Sequence, residues 1–214
     1  MNAHLRHGGR PGRQPHQNQP HQQQRGVSLI VVLILLVIVS LLGVGAAQIA
    51  GMGERSARND RDMQVAWQSA EAALMDAQCD IDPNNSGNSS ATPCVGSRVS
   101  TFANATNTNA FTSPCTAGLC ALATTGKPAW LTADLNNPSS TTTAAFGDFT
   151  SRTYQTGLGG VSPAAKPRYI IEPIEDPQNR DLSGASTSYI YRITALGYGP
   201  RTDIQAVSQI IYRD

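Results

Sequence analysis

Residues capable of chemistry are few in this chain and unevenly placed. All four histidines, His4, His7, His16 and His21, lie within the first 25 residues. If that segment is removed, Ser-His-Asp and Cys-His nucleophilic sites, and histidine metal sites, lose their essential side chain. No glycine loop followed by Lys-Ser/Thr occurs to cradle a phosphate. Asp80, Asp82 and Asn84 have the 1-3-5 spacing of a calcium loop, but its sixth position is Asn85 and its twelfth Ala91, where glycine and a bidentate glutamate belong. No catalytic residue, metal or cofactor is expected, and the chain reads as a non-enzyme. The remaining reactive groups are Cys79, Cys94, Cys115 and Cys120, with no Cys-x-x-Cys among them. In an exported chain an even cysteine count reads as disulfides. Three connectivities are open; Cys79–Cys94 and Cys115–Cys120 close the shortest loops.

Export follows from the N-terminal pattern. Residues 1–25 carry Arg6, Arg10, Arg13 and Arg25 and no acid, and Gly26 then opens an uncharged run that ends at Glu54. Those 28 residues, Gly26–Gly53, form a helix of roughly 40 Å, enough to cross a hydrocarbon core of about 30 Å. A cleaved secretory signal has a shorter apolar core, about 7–15 residues. Arginines before the span and an acid directly after it place the N-terminus in the cytoplasm and the bulk of the chain outside. A basic leader, a small residue at the junction and a membrane-length helix together read as a processing signal. Beyond Gly26, twelve basic residues stand against fifteen acidic ones, a net of 12 − 15 = −3. That balance gives no basic stripe for nucleic acid.

The helix continues past the membrane. Ile49, Met52, Ser56, Met63, Ala66, Trp67, Ala70, Ala73, Leu74, Ala77 and Ile81 recur three and four apart, while Glu54–Arg58 and Arg58–Asp62 pair on the other face at i,i+4. One helix is expected from about Ser28 to about Gln78, ended by Pro83 and the Asn/Ser/Gly cluster behind it. Residues 82–150 hold 29 Ser, Thr or Asn among 69 and only five charges, an exposed loop region tied down by cysteines. Ala121–Leu122 and Ala129–Leu131 are the apolar islands within it that could dock on a core. Arg168–Ile174, Ser188–Leu196 and Asp203–Tyr212 then read as strands. Pro173 should mark the end or edge of its strand, and Gly197, Gly199 and Pro200 should form a hairpin turn. The expected fold is α+β, a long helix packed on an antiparallel sheet that covers the stripe around Met63–Leu74. The organisation is a leader at 1–26, an assembly helix at 27–53, its amphipathic half at 54–81, a disulfide-stapled loop region at 82–167 and a sheet at 168–214.

These residues carry a family resemblance. Arg25-Gly26 before an uncharged helix resembles the class III signal of type IV prepilins. ERSARNDRDMQVAWQSAEAALMDA (Glu54–Ala77) resembles the N-terminal region of PilX-type minor pilins, and RYIIEPI…YRITALGYG resembles their C-terminal sheet. The resemblance implies cleavage after Gly26 by a prepilin peptidase, N-methylation of Val27, and a wait in the inner membrane before extraction into a fibre at the cell surface. It implies as partners the other minor pilins and the major pilin, a large tip adhesin and the inner-membrane assembly platform. Most pilins carry glutamate at the fifth position after the cut. Here that position is Val31, which favours a tip or priming subunit with no neighbour above to neutralise. The Ser/Thr/Asn-rich region could serve adhesion or passive coating. The competing readings are a minor pseudopilin of a type II secretion system and a simple periplasmic domain on a signal anchor.

Overall fold

The computed structural model describes residues 26–82, 98–102, 108–157, 161–180 and 187–213. Helix α1 runs from Val27 to Ile81, and the chain divides into two compact units, residues 1–52 and 53–214. In the first unit α1 is uncharged and uncovered. Its most apolar 18 residues have a mean hydropathy of 3.3 and none is buried, so by length and composition this helix can cross a membrane. The helix passes through Gly43, Gly45, Gly51 and Gly53 without a break, and a Cβ at any of them would meet nothing. Lipid or another helix is what such a surface suits.

In the second unit α1 lies on a four-stranded antiparallel sheet: β1 (Ala144–Ala145), β2 (Arg168–Arg180), β3 (Thr187–Tyr198) and β4 (Gln205–Tyr212), in the order β1-β2-β3-β4. Ala73, Leu74, Ala77 and Ile81 of the helix share one core with Tyr169, Ile171, Tyr191, Ile193 and Ala195. Phe102, in the one-turn helix α2 (Val99–Phe102), stacks edge-on against Tyr191 at 5.4 Å and closes that core with Phe111. The opposite sheet face is covered by the polar connecting region. Cys115, Cys120, Leu135 and Ala129 of the short helix α3 (Ala129–Thr132) pack on Ile170, Leu196 and Tyr198. Helix, sheet and loop layer thus make an α+β unit with a core on each side of the sheet.

Several expectations shift in detail. Buried along α1 are Ala66, Ser69, Ala70, Ala73, Leu74, Ala77 and Ile81, together with Asp76, Cys79 and Asp80. Met63 and Trp67 of the expected stripe remain 38% and 46% exposed, although Ala66, Ser69 and Ala70 beside Trp67 are buried. The residues α1 offers there are nearly all small, and the reason stands opposite. Gly197 belongs to β3 rather than to the turn. A Cβ on it would lie 2.1 Å from the amide nitrogen of Ala70 and 2.3 Å from the carbonyl of Ala66. The helix backbone therefore touches the strand backbone, and the Ser69 hydroxyl accepts the Tyr198 N–H at 3.3 Å. Gly199 does take part in the turn, with its N–H bonded to the Ile204 carbonyl at 2.8 Å.

Pro173 sits inside β2, opposite Tyr191. The N–H of Ile171 points away from β3, to the Gly118 carbonyl at 2.7 Å. Two residues on, Pro173 faces the same way, so its missing N–H falls on the open edge where no ladder bond is lost. Of the apolar islands, Ala129 docks, while Leu122, Trp130 and Leu131 stay exposed.

Gly197→Ala should destabilise the chain by about 1–3 kcal/mol or more through forced separation of helix and strand. Met63→Ala, on the uncovered surface, should change stability by less than about 0.5 kcal/mol. Denaturant unfolding of the detergent-solubilised protein measures both.

Candidate functional site

The residues singled out for processing lie at the start of α1. Gly26 has φ +136°, a conformation L side chains rarely adopt, and Val27 is the first helical residue. A Cβ at residue 26 would meet no other atom within 4 Å. Val31 stands one turn on, 48% exposed, with no carboxylate in the first turn of the helix.

Of the four cysteines, Cys115 and Cys120 are joined to each other. Cys79, fully buried, is also disulfide-bonded, and Cys94 lies outside the described residues. The Cys115–Cys120 loop has a structural task. Gly118 and Cys120 exchange backbone hydrogen bonds with Ile171, at 2.7 and 3.0 Å, so the loop lies along the β2 edge. Gly118 is needed there: its φ is +82°, and a Cβ would sit 2.8 Å from that of Ala144.

The strongest polar chemistry belongs to two carboxylates one helical turn apart on the buried side of α1, Asp76 and Asp80, each with 0% exposure. Asp80 accepts from both Nε and Nη2 of Arg98, and from the Tyr169 hydroxyl at 3.0 Å. Arg98 in turn donates to the Ala117 carbonyl at 2.6 Å, and its guanidinium carbon lies 3.5 Å from the Phe149 ring centroid. A two-pronged, charge-assisted pair with an aromatic face on one side suits arginine and not lysine. Asp76 accepts from the Gly147 N–H at 2.8 Å and the Thr150 hydroxyl at 2.6 Å, with Arg152 Nη1 3.7 Å away. Burial raises the Asp76 carboxyl above its ordinary pKa, overcoming the lowering by Thr150, Gly147 and Arg152. Burial, with Asp80 beside it, likewise holds the Tyr169 phenol well above its ordinary value.

A third charge is caged by backbone. Arg168 donates to Thr143 Oγ1 at 2.6 Å and to the carbonyls of Pro138, Ser140 and Thr143 at 2.7–2.9 Å. Burial lowers its pKa from the ordinary arginine value. On the same sheet face Glu172, wholly buried, is held by the cross-strand Arg192 at 2.9 and 3.0 Å. These groups pair within the chain. Asp80, counted in the calcium spacing, is helical and committed to Arg98 and Tyr169, while Asn84 and Asn85 lie outside the described residues. Among the described residues no group of three His, Cys, Asp or Glu side chains is placed to hold a metal ion. The arrangement fastens the loop layer to the helix. Sequence reading passed over Asp76, Arg98, Arg152, Arg168 and Glu172. The available signal was two aspartates, four apart, interleaved with Ala73, Ala77 and Ile81 on the apolar face.

Two family models match this chain. One, described as PilX N-terminal, covers residues 25–74 and so takes in the junction and most of α1. The other, described as type IV pilus assembly protein PilX C-term, covers residues 116–214, from the disulfide loop through the sheet. No curated protein and no solved structure matches.

Asp80→Ala should cost roughly 3–5 kcal/mol, because it leaves Arg98 without its counter-charge. The double change Asp80→Ala with Arg98→Met should recover a large part of that loss in equilibrium unfolding. Asp76 has the opposite sign of pH dependence from an ordinary paired carboxylate. Its raised native pKa gives a stabilising contribution that is full below its unfolded pKa, about 3.9, and is lost as pH rises through the native value. The stability gap between the natural chain and Asp76→Asn should therefore narrow as pH is raised from about 4. Paired denaturant titrations across that window test the sign.

Proposed function

Since the chain belongs to the PilX family of type IV pilus assembly proteins, as matches over residues 25–74 and 116–214 show, we propose that it is a minor structural subunit that helps prime the fibre and sits at or near its tip. The observation that carries this reading is α1. One helix joins an uncharged, uncovered segment of membrane length to a segment whose small face is packed on a sheet. Such a helix is stable in lipid, and is stable again when the same apolar surface meets other helices of its kind. The subunit waits in the inner membrane with its N-terminus in the cytoplasm, and four arginines ahead of the span support that orientation.

Processing occurs at Gly26, where the peptidase tolerates little bulk, and Val27 becomes the methylated N-terminus. Val31 supports the tip assignment. A carboxylate buried in an apolar bundle needs a positive partner, and a subunit with no neighbour above it lacks that partner. The disulfides keep the hydroxyl-rich loop layer folded outside the cell, where it is available for adhesion. Its neighbours are other minor pilins, the major pilin and a tip adhesin, while prepilin peptidase and the inner-membrane assembly platform act on it. Its role is structural.

Intact mass and N-terminal peptide mapping of the membrane-bound chain, with and without prepilin peptidase, tests this. The expected product begins at N-methyl-Val27 only when the peptidase is present, and Gly26→Trp should trap the precursor. A leader retained in both strains would overturn the reading.

A further inference from the structure

The loop that cages Arg168 is fixed at almost every carbonyl. Those of Pro138, Ser140 and Thr143 accept from the guanidinium. Those of Thr141 and Thr142 accept the N–H groups of Ala117 and Gly118, at 2.7 and 3.2 Å. A stretch without glycine, rich in small hydroxyl-bearing residues, is thereby held in one conformation at the surface. Ser140 and Thr142 pair their hydroxyls with each other at 2.8 Å. The hydroxyls of Ser139 and Thr141, both exposed residues, have no partner among the described residues.

Ser139 and Thr141 border an open cleft of about 570 Å³ together with Thr116, Asp148, Lys166 and Arg168. Small-ligand sites span about 300–1,000 Å³. The charges around this cleft are unequal. Arg168 is 5% exposed, and four of its five N–H groups are bonded, to Thr143 Oγ1 and the three carbonyls. No carboxylate is hydrogen-bonded to it, whereas Arg98 and Arg192 hold Asp80 and Glu172. Lys166, two residues before it, is exposed, and its ammonium has no partner among the described residues. The backbone around Lys166 is nevertheless fixed. The Ala164 N–H is bonded to the Gly199 carbonyl at 2.8 Å, and the Pro167 carbonyl accepts the Phe146 N–H at 2.9 Å. Among the described residues Asp148 is the one acid lining the cleft. One of its oxygens accepts the Ala145 N–H at 2.9 Å, and the other is open.

We propose that this cleft binds a saccharide unit that bears a carboxylate. Lys166, backed by the spare N–H of Arg168, takes the carboxylate. Asp148 and the hydroxyls of Ser139 and Thr141 take sugar hydroxyls. Two cations against one acid leave a single positive charge, which suits a monoanionic polyol. Asp148 works against a free phosphate or a nucleic-acid chain, because like charges repel at close range. A peptide is less suited, since the carbonyls of the loop that would pair with its amides are already in use. Because the loop is held before any ligand arrives, little ordering remains to oppose binding. The inference gives the adhesive role of the loop layer a ligand class and rests on that reading for its setting, while the binding itself requires only the folded unit.

The full chain, solubilised in a detergent without a sugar headgroup, is titrated with methyl glucuronoside, methyl glucoside and inorganic phosphate by calorimetry and saturation-transfer NMR. Saturable binding of the glucuronoside is expected, with the glucoside and phosphate each weaker by about tenfold or more, the worth of one charge-assisted hydrogen bond. Lys166→Met should lose about tenfold or more in affinity for the glucuronoside, and Lys166→Arg should retain it. Both variants should unfold at the same denaturant concentration as the natural chain, because Lys166 is exposed. No saturable glucuronoside binding, phosphate or glucoside bound as tightly, or an affinity unmoved by Lys166→Met overturns the site. A processed chain found in fibres that binds no glucuronoside overturns this inference alone. A chain that binds it but keeps its leader and stays out of the fibre overturns the subunit reading and leaves the cleft standing.

Discussion

The contact on which the globular unit depends is the approach of two backbones, α1 at Ala66–Ala70 and β3 at Gly197. Side chains normally hold a helix and a sheet apart. Here Gly197 has none, and the helix opposes it with alanines and Ser69. Close packing at one point sets the height of the helix along its whole packed length. Farther along, Leu74, Ala77 and Ile81 fill the wider space against Tyr169, Ile171 and Tyr191.

Once the helix is fixed, the two aspartates on its flank have fixed positions, and the loop layer is assembled around them. The described part of the loop layer contributes Phe102, Phe111, Leu119, Cys120 and Leu135 to the two cores. Charge and covalent closure add to that burial: Arg98 on Asp80, Gly147 and Thr150 on Asp76, Arg168 caged by three carbonyls, and the Cys115–Cys120 loop on β2. Desolvated charges are costly, and Asp80 and Glu172 are each matched by a two-pronged arginine.

The membrane half of α1 obeys the opposite rule, with no charge, no hydrogen-bonding side chain held elsewhere in the chain, and no cover. Ser40 bonds back to the Leu36 carbonyl at 2.7 Å and so adds no unsatisfied group to the apolar surface. The chain thus joins a surface made for lipid and helices to a unit held together by buried polar contacts. Its membership of a pilus assembly family is consistent with both halves.

The sequence by itself determined what depends on local order. The uncharged run, the helical stripe, the three principal strands and the α+β class were legible, because period, length and charge are written along the chain. The stripe includes Met63 and Trp67, which stay exposed, since periodicity says which face is apolar but not which of its residues a partner covers. Gly197 looked like a turn because glycine signals either a bend or a close approach, and only the packed helix distinguishes them. Arg98 lies 18 residues from Asp80, and Arg152 lies 76 from Asp76. Pairings at such separations carry no sequence period. They exist because the sheet fixes the helix and the helix presents its aspartates to the loop layer, and tertiary structure alone decides that.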